Sequence, residues 1–122
     1  MPHRNPSVAA IGAGDSIGAA IVRKFASERF AVFAGRRNGD KRAPLVAEID
    51  AAGGTAFGRT LDARVSESVT AFLAEAEAYA PLDICIFNVG ANVQYPILET
   101  TDQVFRKVWE MACWSGFLAG CC

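Results

Sequence analysis

One stretch near the start constrains this chain more than any other. Val8-Ala9-Ala10-Ile11 is a short apolar run that stops at a glycine-rich turn, and a helical pattern begins immediately after it. Gly12, Gly14 and Gly18 form a G-x-G-x-x-x-G array at that junction. The first glycine permits a tight turn, the second lets a ligand's phosphates approach the backbone, and the third lets the helix pack closely on the strand. The helix N-terminus adds unpaired N–H groups and the positive end of a dipole. The stretch from Gly12 through Asp15, Ser16 and Ile17 to Gly18 is therefore a candidate cradle for the pyrophosphate of a dinucleotide. An ordinary glycine-containing strand–helix turn is the competing reading, because a single glycine motif arises by chance.

The rest of the chain shows what surrounds this turn. Phe30 to Ala34 is a second apolar run, ending at the loop Gly35-Arg36-Arg37-Asn38-Gly39. Thr55 to Leu61 reads as a third strand closed by Asp62, and Leu82 to Phe87 as a fourth, followed by Asn88-Val89-Gly90. Helical spacing lies between them. Ile17, Ile21, Val22 and Phe25 form one apolar face, Leu45, Val46, Ile49 and Ala52 a second, and Val69, Phe72, Leu73 and Ala76 a third. Ser66 suits an N-cap for the third helix, and Pro81 closes it. Thr100-Thr101-Asp102-Gln103 resembles a capping box, with Val104, Phe105, Val108, Met111 and Ala112 as the inner face beyond it.

Strand and helix thus alternate four times, with about 25 to 30 residues per unit, as βαβ connections require. Right-handed crossovers give a doubly wound α/β domain, a parallel sheet with helices on both faces. Ligands of such sheets bind at the carboxyl ends of the strands. Gly12, Arg36, Asp62 and Asn88 all arrive there, and this convergence is independent of the glycine count.

Each residue at that edge has two readings. An acidic side chain after the second strand would accept hydrogen bonds from a ribose 2′-hydroxyl, whereas an arginine can hold a 2′-phosphate. Arg36 and Arg37, with Arg36 favoured, point to the phosphorylated dinucleotide; the alternative is two solvated loop arginines. Asp62 can accept from an adenine amino group or serve as a turn residue before a helix. Asn88 can tie neighbouring strands together or simply form a turn.

Composition bounds the function classes. The 122 residues are 52% hydrophobic and 20% charged, which suits one globular domain. The net charge of −1 conceals eight Lys/Arg against three Asp/Glu in residues 1–42, and four against ten in residues 43–122. A basic first third suits an anionic ligand. No dense basic run with interleaved aromatics speaks for nucleic acid, and no apolar stretch has the length of a membrane span. Without an apolar signal-peptide core, the expected location is the cytoplasm. The four cysteines, at 85, 113, 121 and 122, match no zinc spacing, and Cys85 in its apolar strand reads as a small hydrophobe. His3 lies near the terminus, and Thr101 and Ser115 have no activating partner. Trp109 and Trp114 read as packing residues.

At these residues the chain resembles the short-chain dehydrogenase/reductase family, Rossmann-fold oxidoreductases that use NAD(P). The turn 12–18, Ala34-Gly35-Arg36-Arg37, Leu61-Asp62-Ala63-Arg64 and Asn88-Val89-Gly90-Ala91 match in order and spacing. The last is similar to the family's Asn-Ala-Gly segment. The resemblance runs from residue 7 to about 118. It implies hydride transfer between a nicotinamide cofactor and a carbonyl/alcohol pair, with NADP preferred over NAD. Gly12, Gly14, Asp15, Ser16, Ile17, Gly18, Arg36, Arg37, Asp62, Ala63, Asn88 and Gly90 are the implied contacts, and residues 1–122 form one cofactor-binding domain. Pro96-Ile97-Leu98-Glu99, leading towards Phe105 and Trp109, is similar to the approach to the family's dimer-interface helix, so a homo-oligomer is expected.

The departures bear on activity. Ile11 stands where the family usually has threonine, and the family's second glycine falls on Ser16. Its helical asparagine falls near Ala112 or Cys113. Its serine and its Tyr-x-x-x-Lys pair belong beyond residue 122, whereas here Tyr79 is followed four residues on by Asp83 and Tyr95 by Glu99. No catalytic residue is therefore assigned. The expectation is a Rossmann-like sheet truncated after about four strands: an enzyme lineage whose longer form is active, a nucleotide-binding or interaction protein without activity, or a remnant that binds nothing.

Overall fold

A computed structural model describes residues 6–12, 17–39, 43–88 and 96–121. Four parallel strands, β1 (Ser7–Ile11), β2 (Ala31–Arg36), β3 (Thr55–Thr60) and β4 (Leu82–Phe87), form one sheet in the order β3-β2-β1-β4. Helices α1 (Ile17–Ser27), α2 (Ala43–Ala51) and α3 (Ser66–Tyr79) make the crossovers. Beyond β4, the 3₁₀ turn Ile97–Glu99 precedes α4 (Asp102–Trp109), a π-helical turn (Glu110–Trp114) and α5 (Ser115–Cys121). The doubly wound parallel sheet expected from the alternation is the observed architecture.

The strands divide the core by parity, since neighbouring residues face opposite sides of a sheet. Ala10, Val32, Ala34 and Ala56 meet Val22 and Ala26 of α1 and Leu45 and Ile49 of α2. Ala9, Ile11 and Phe33 meet Val69, Phe72, Leu73 and Ala76 of α3 and Leu118 of α5. Strands covered on both faces must be apolar throughout, so every residue of β1 is buried. Gly35 sits where a β-carbon would come within 2.7 Å of Leu61 Cδ2 and 3.1 Å of the Phe72 ring, so a side chain there would require those two to shift.

Five local expectations differ. The buried face of α1 is Gly18, Ala19, Val22 and Ala26, while Ile17 is exposed. Small residues turn towards the sheet because they let the helix axis approach it. In α3 the N-cap is Val65, with no side-chain cap, and Ser66 is the first helical residue. Thr101 caps α4 by accepting from the Val104 N–H, whereas Thr100 Oγ1 donates back to the Pro96 carbonyl, so no reciprocal capping box forms. In α4 no residue is buried, and Phe105, placed on the inner face by its spacing, is 68% exposed. Cys85 is exposed as well, because β4 is an edge of the described sheet.

Candidate functional site at the carboxyl edge of the sheet

The strand order creates a switch point. From β1 the chain steps outward to β2 and β3, then returns across β1 to β4, so the crossovers on the two sides of the β1/β4 junction diverge. A crevice opens at the carboxyl ends of such strands. Gly12 follows β1 with φ of +82°, a conformation that disfavours any side chain. Its N–H donates to the Gly35 carbonyl at 2.9 Å, which fixes the start of the turn against β2. Gly18 is buried in the first turn of α1, with Ile17 exposed before it. Gly14, Asp15, Ser16 and Gly90 lie outside the described residues.

Asn88 follows β4 and ties it to β1. Its backbone N–H donates to Ile11 O at 2.8 Å, and its Nδ2 reaches the Gly12 carbonyl at 3.5 Å. This is the strand-tying role weighed for it in the sequence, located at the edge of the glycine turn.

Arg36 is the last residue of β2 and half-buried; its carbonyl accepts from Leu61 N–H at 2.8 Å, and Arg37 beyond it is exposed. The segment after β3 lies beside them. Asp62 Oδ1 accepts from the Arg64 backbone N–H at 3.0 Å and from Arg64 Nε at 3.1 Å, while Oδ2 accepts from Nη2 at 3.2 Å. The backbone bond makes 62–64 an Asx turn, so the turn-forming reading of Asp62 is realised. The Arg64 hydrogen bonds hold the Asp62 carboxyl below the usual carboxylate range, burial opposes them, and the charges of Arg64 and Arg37 assist. Asp62 and Glu110 together hold the Arg64 guanidinium firmly protonated. An ionised carboxylate has about four acceptor positions, and Arg64 takes three, leaving capacity for an amino donor on Oδ2.

The Asp62 N–H is held by Ser68 Oγ at 3.1 Å, and the Arg64 carbonyl by Trp114 Nε1 at 3.0 Å. Ala63 is half-buried and packs with Trp114 against the α3-side core. In the sequence Arg64 has no role of its own, and Trp114 reads only as a packing residue. The Asp-x-Arg spacing of an Asx turn was a usable signal for Arg64; nothing local marks a contact 50 residues away.

A cavity of about 510 Å³ opens at the opposite edge of the sheet, bordered by Arg23, Ala26, Arg29, Phe30, Glu48 and Gly54. The carboxyl ends of α1 and α2 face it, and their negative dipole ends repel anions. Arg23 there is already paired with Glu48 at 2.7 Å. Size does not make it the better nucleotide site. Among the described residues no group of three or more His, Cys, Asp or Glu could hold a metal ion, and no helix is long and apolar enough to cross a membrane.

A parallel sheet of this order, wound on both faces and with a glycine turn after its first strand, is a Rossmann-type domain. Residues 7–119 match the family model for short chain dehydrogenases, and the chain belongs to that family. It is 36% identical over 101 residues to the short-chain reductase protein NovJ of Streptomyces niveus, covering 82% of this chain and 38% of NovJ. A crystal structure of a short-chain dehydrogenase from Rhodopseudomonas palustris superposes with a TM-score of 0.94 at 70% identity, over 96% of this chain and 55% of that one. An actinorhodin polyketide ketoreductase variant with NADPH superposes at 0.86 with 29% identity, over 98% and 47% of the respective chains. The chain spans about half the length of these structures, and less of NovJ.

Proposed function

We propose that these residues form an NADP(H)-binding domain, and that the 122-residue chain binds the nucleotide without completing hydride transfer. The observation that carries this reading is the end of β2. Arg36 and Arg37 stand at the same sheet edge as the Gly12 turn, and no acidic residue lies among the described residues 36–39 that follow the strand. The donor set fits the cofactor: guanidinium groups for the 2′-phosphate, the N-terminus of α1 for the pyrophosphate, and a residual acceptor on Asp62 for the adenine amino group. Asn88 and Gly12 border the crevice between β1 and β4. A bound nicotinamide supplies the hydride in this family, and NADPH accompanies the polyketide ketoreductase above. Neither Tyr79 nor Tyr95 is followed four residues on by a lysine, so no residue of this chain is assigned as acid or base.

Titration calorimetry with NADP⁺ and NAD⁺ tests the cofactor choice. A charge-assisted phosphate contact gives a preference of roughly 10- to 100-fold for NADP⁺, and Arg36→Gln removes most of it. Equal affinities, or tighter NAD⁺, contradict the assignment. Absorbance at about 340 nm should show no protein-dependent oxidation of NADPH with aldehydes or ketones; a rate that scales with protein and survives repurification refutes the claim of inactivity.

A second observation supports self-association through the helical segment 102–121. Phe105, Trp109 and Phe117 are 68%, 46% and 61% exposed. Trp114 stacks between Trp109 and Phe117, with centroids 6.1 and 5.6 Å away. Contiguous apolar surface of this kind marks an interface.

A further inference from the structure

We infer that Trp114 is a positioning residue for the adenine end of the nucleotide site, an inference that rests on the nucleotide-binding reading above. Its indole holds the turn after β3 in the conformation that the nucleotide meets. The turn is fixed from two directions. From α3, Ser68 Oγ accepts the Asp62 N–H, and within the turn the Val65 N–H donates to the Asp62 carbonyl at 3.1 Å. From the far end of the chain, Trp114 Nε1–H donates to the Arg64 carbonyl at 3.0 Å. Arg64 is the residue whose backbone N–H and guanidinium orient the Asp62 carboxylate. Fixing the Arg64 peptide therefore fixes the direction in which Asp62 presents its remaining acceptor.

The π-helical turn is what aims the indole. Trp114 is its last residue, and its wider winding sets the rotation between α4 and α5. The ring is half-buried, packed on the core shared with Ala63, and braced by Trp109 and Phe117 on its two sides. Its N–H has a fixed place from which to donate. Glu110, at the start of the same turn, adds its charge to the field that holds the Arg64 guanidinium. The helical segment 102–121 thus reaches the adenine end through a backbone hydrogen bond and a side-chain charge. Linkage makes the coupling reciprocal: a nucleotide that rigidifies the turn also rigidifies Trp114.

The test uses the 122-residue chain and the adenine-end probe 2′,5′-ADP. Trp114→Phe keeps an aromatic ring in the stack and removes the N–H donor together with the outer part of the indole. Calorimetry should show about three- to tenfold weaker binding, the loss of one hydrogen bond's contribution. In wild-type protein, the Trp114 indole ¹H–¹⁵N resonance should shift on titration with 2′,5′-ADP while that of Trp109 stays in place. A residue that merely packs would not report the ligand, so this readout also stands if the variant fails to fold. Unchanged affinity in Trp114→Phe, or an unmoved Trp114 resonance while the probe binds, overturns the inference and leaves nucleotide binding intact. No binding of 2′,5′-ADP overturns both.

Discussion

Asp62 shows how one carboxylate can be structural and remain available. Its side chain is 36% exposed, so solvent screens the pair with Arg64 and the stabilisation is below about 1 kcal/mol. Its sign is fixed. The folded carboxyl titrates below its unfolded value of about 3.9, so the contribution is complete above that value and is lost as the pH falls through the folded pKa. Urea denaturation of wild type and Asp62→Asn should show the wild-type advantage at neutral pH shrinking between about pH 5 and pH 2. An advantage independent of pH across that window would show that the carboxylate charge is not what Arg64 recognises. The sequence made the two roles of Asp62 visible and left them open. The Arg64 bonds show the turn role, and about one acceptor position remains for the other.

The elements of the sheet were legible because each obeys one dominant force. Val8 to Ile11 and Ala31 to Ala34 lie under helices on both faces, so they carry unbroken apolar runs that mark buried parallel strands. α3 presents Val69, Phe72, Leu73 and Ala76 to the core at the spacing its sequence shows. The face of α1 was legible in part: Val22 is buried and Phe25 packs on the core, but periodicity weighs hydrophobicity while the close approach to β1 rewards small volume, so Ala19 and Ala26 face inward and Ile17 faces out. Junctions between elements were less legible still. Ser7, fully buried, donates its Oγ to Ala76 O at 3.2 Å and Ala80 O at 2.9 Å, joining the start of β1 to the end of α3. Nothing near Ser7 in sequence announces partners 69 and 73 residues away. Ser7→Ala strips a donor from carbonyls at a buried helix end and should cost about 1–3 kcal/mol in denaturation. A loss under a few tenths of a kcal/mol would mean that water replaces the hydroxyl.

At the scale of the whole molecule, two surfaces of the described structure are unlike a finished exterior. β4 pairs only with β1 among the described strands, so its outer backbone groups form an edge of the kind that recruits another chain. The second surface is the aromatic face of α4 and α5. The spacing in α4 led to an inward Phe105, but the helix buries none of its residues and the ring faces out. An amphipathic helix with its apolar stripe outward had a partner in its sequence pattern, and periodicity alone cannot say whether that partner is the sheet or another subunit. If the helix is the contact, Phe105→Glu should convert a dimer at tens of micromolar to monomer in light scattering after size exclusion. An unchanged dimer would move the contact to the β4 edge.

The central claim is that nucleotide binds at the carboxyl edge of the sheet, across the β1/β4 switch point. The most direct measurement is a ¹H–¹⁵N titration of the 122-residue chain with NADP⁺. The amides of Gly12, Gly18, Arg36, Arg37, Asp62 and Asn88 should shift together and saturate at one dissociation constant, while those of Ser27, Gly53 and Gly54 at the opposite cavity stay in place. Shifts confined to Ser27, Gly53 and Gly54, or no saturable shift at either edge, would contradict it.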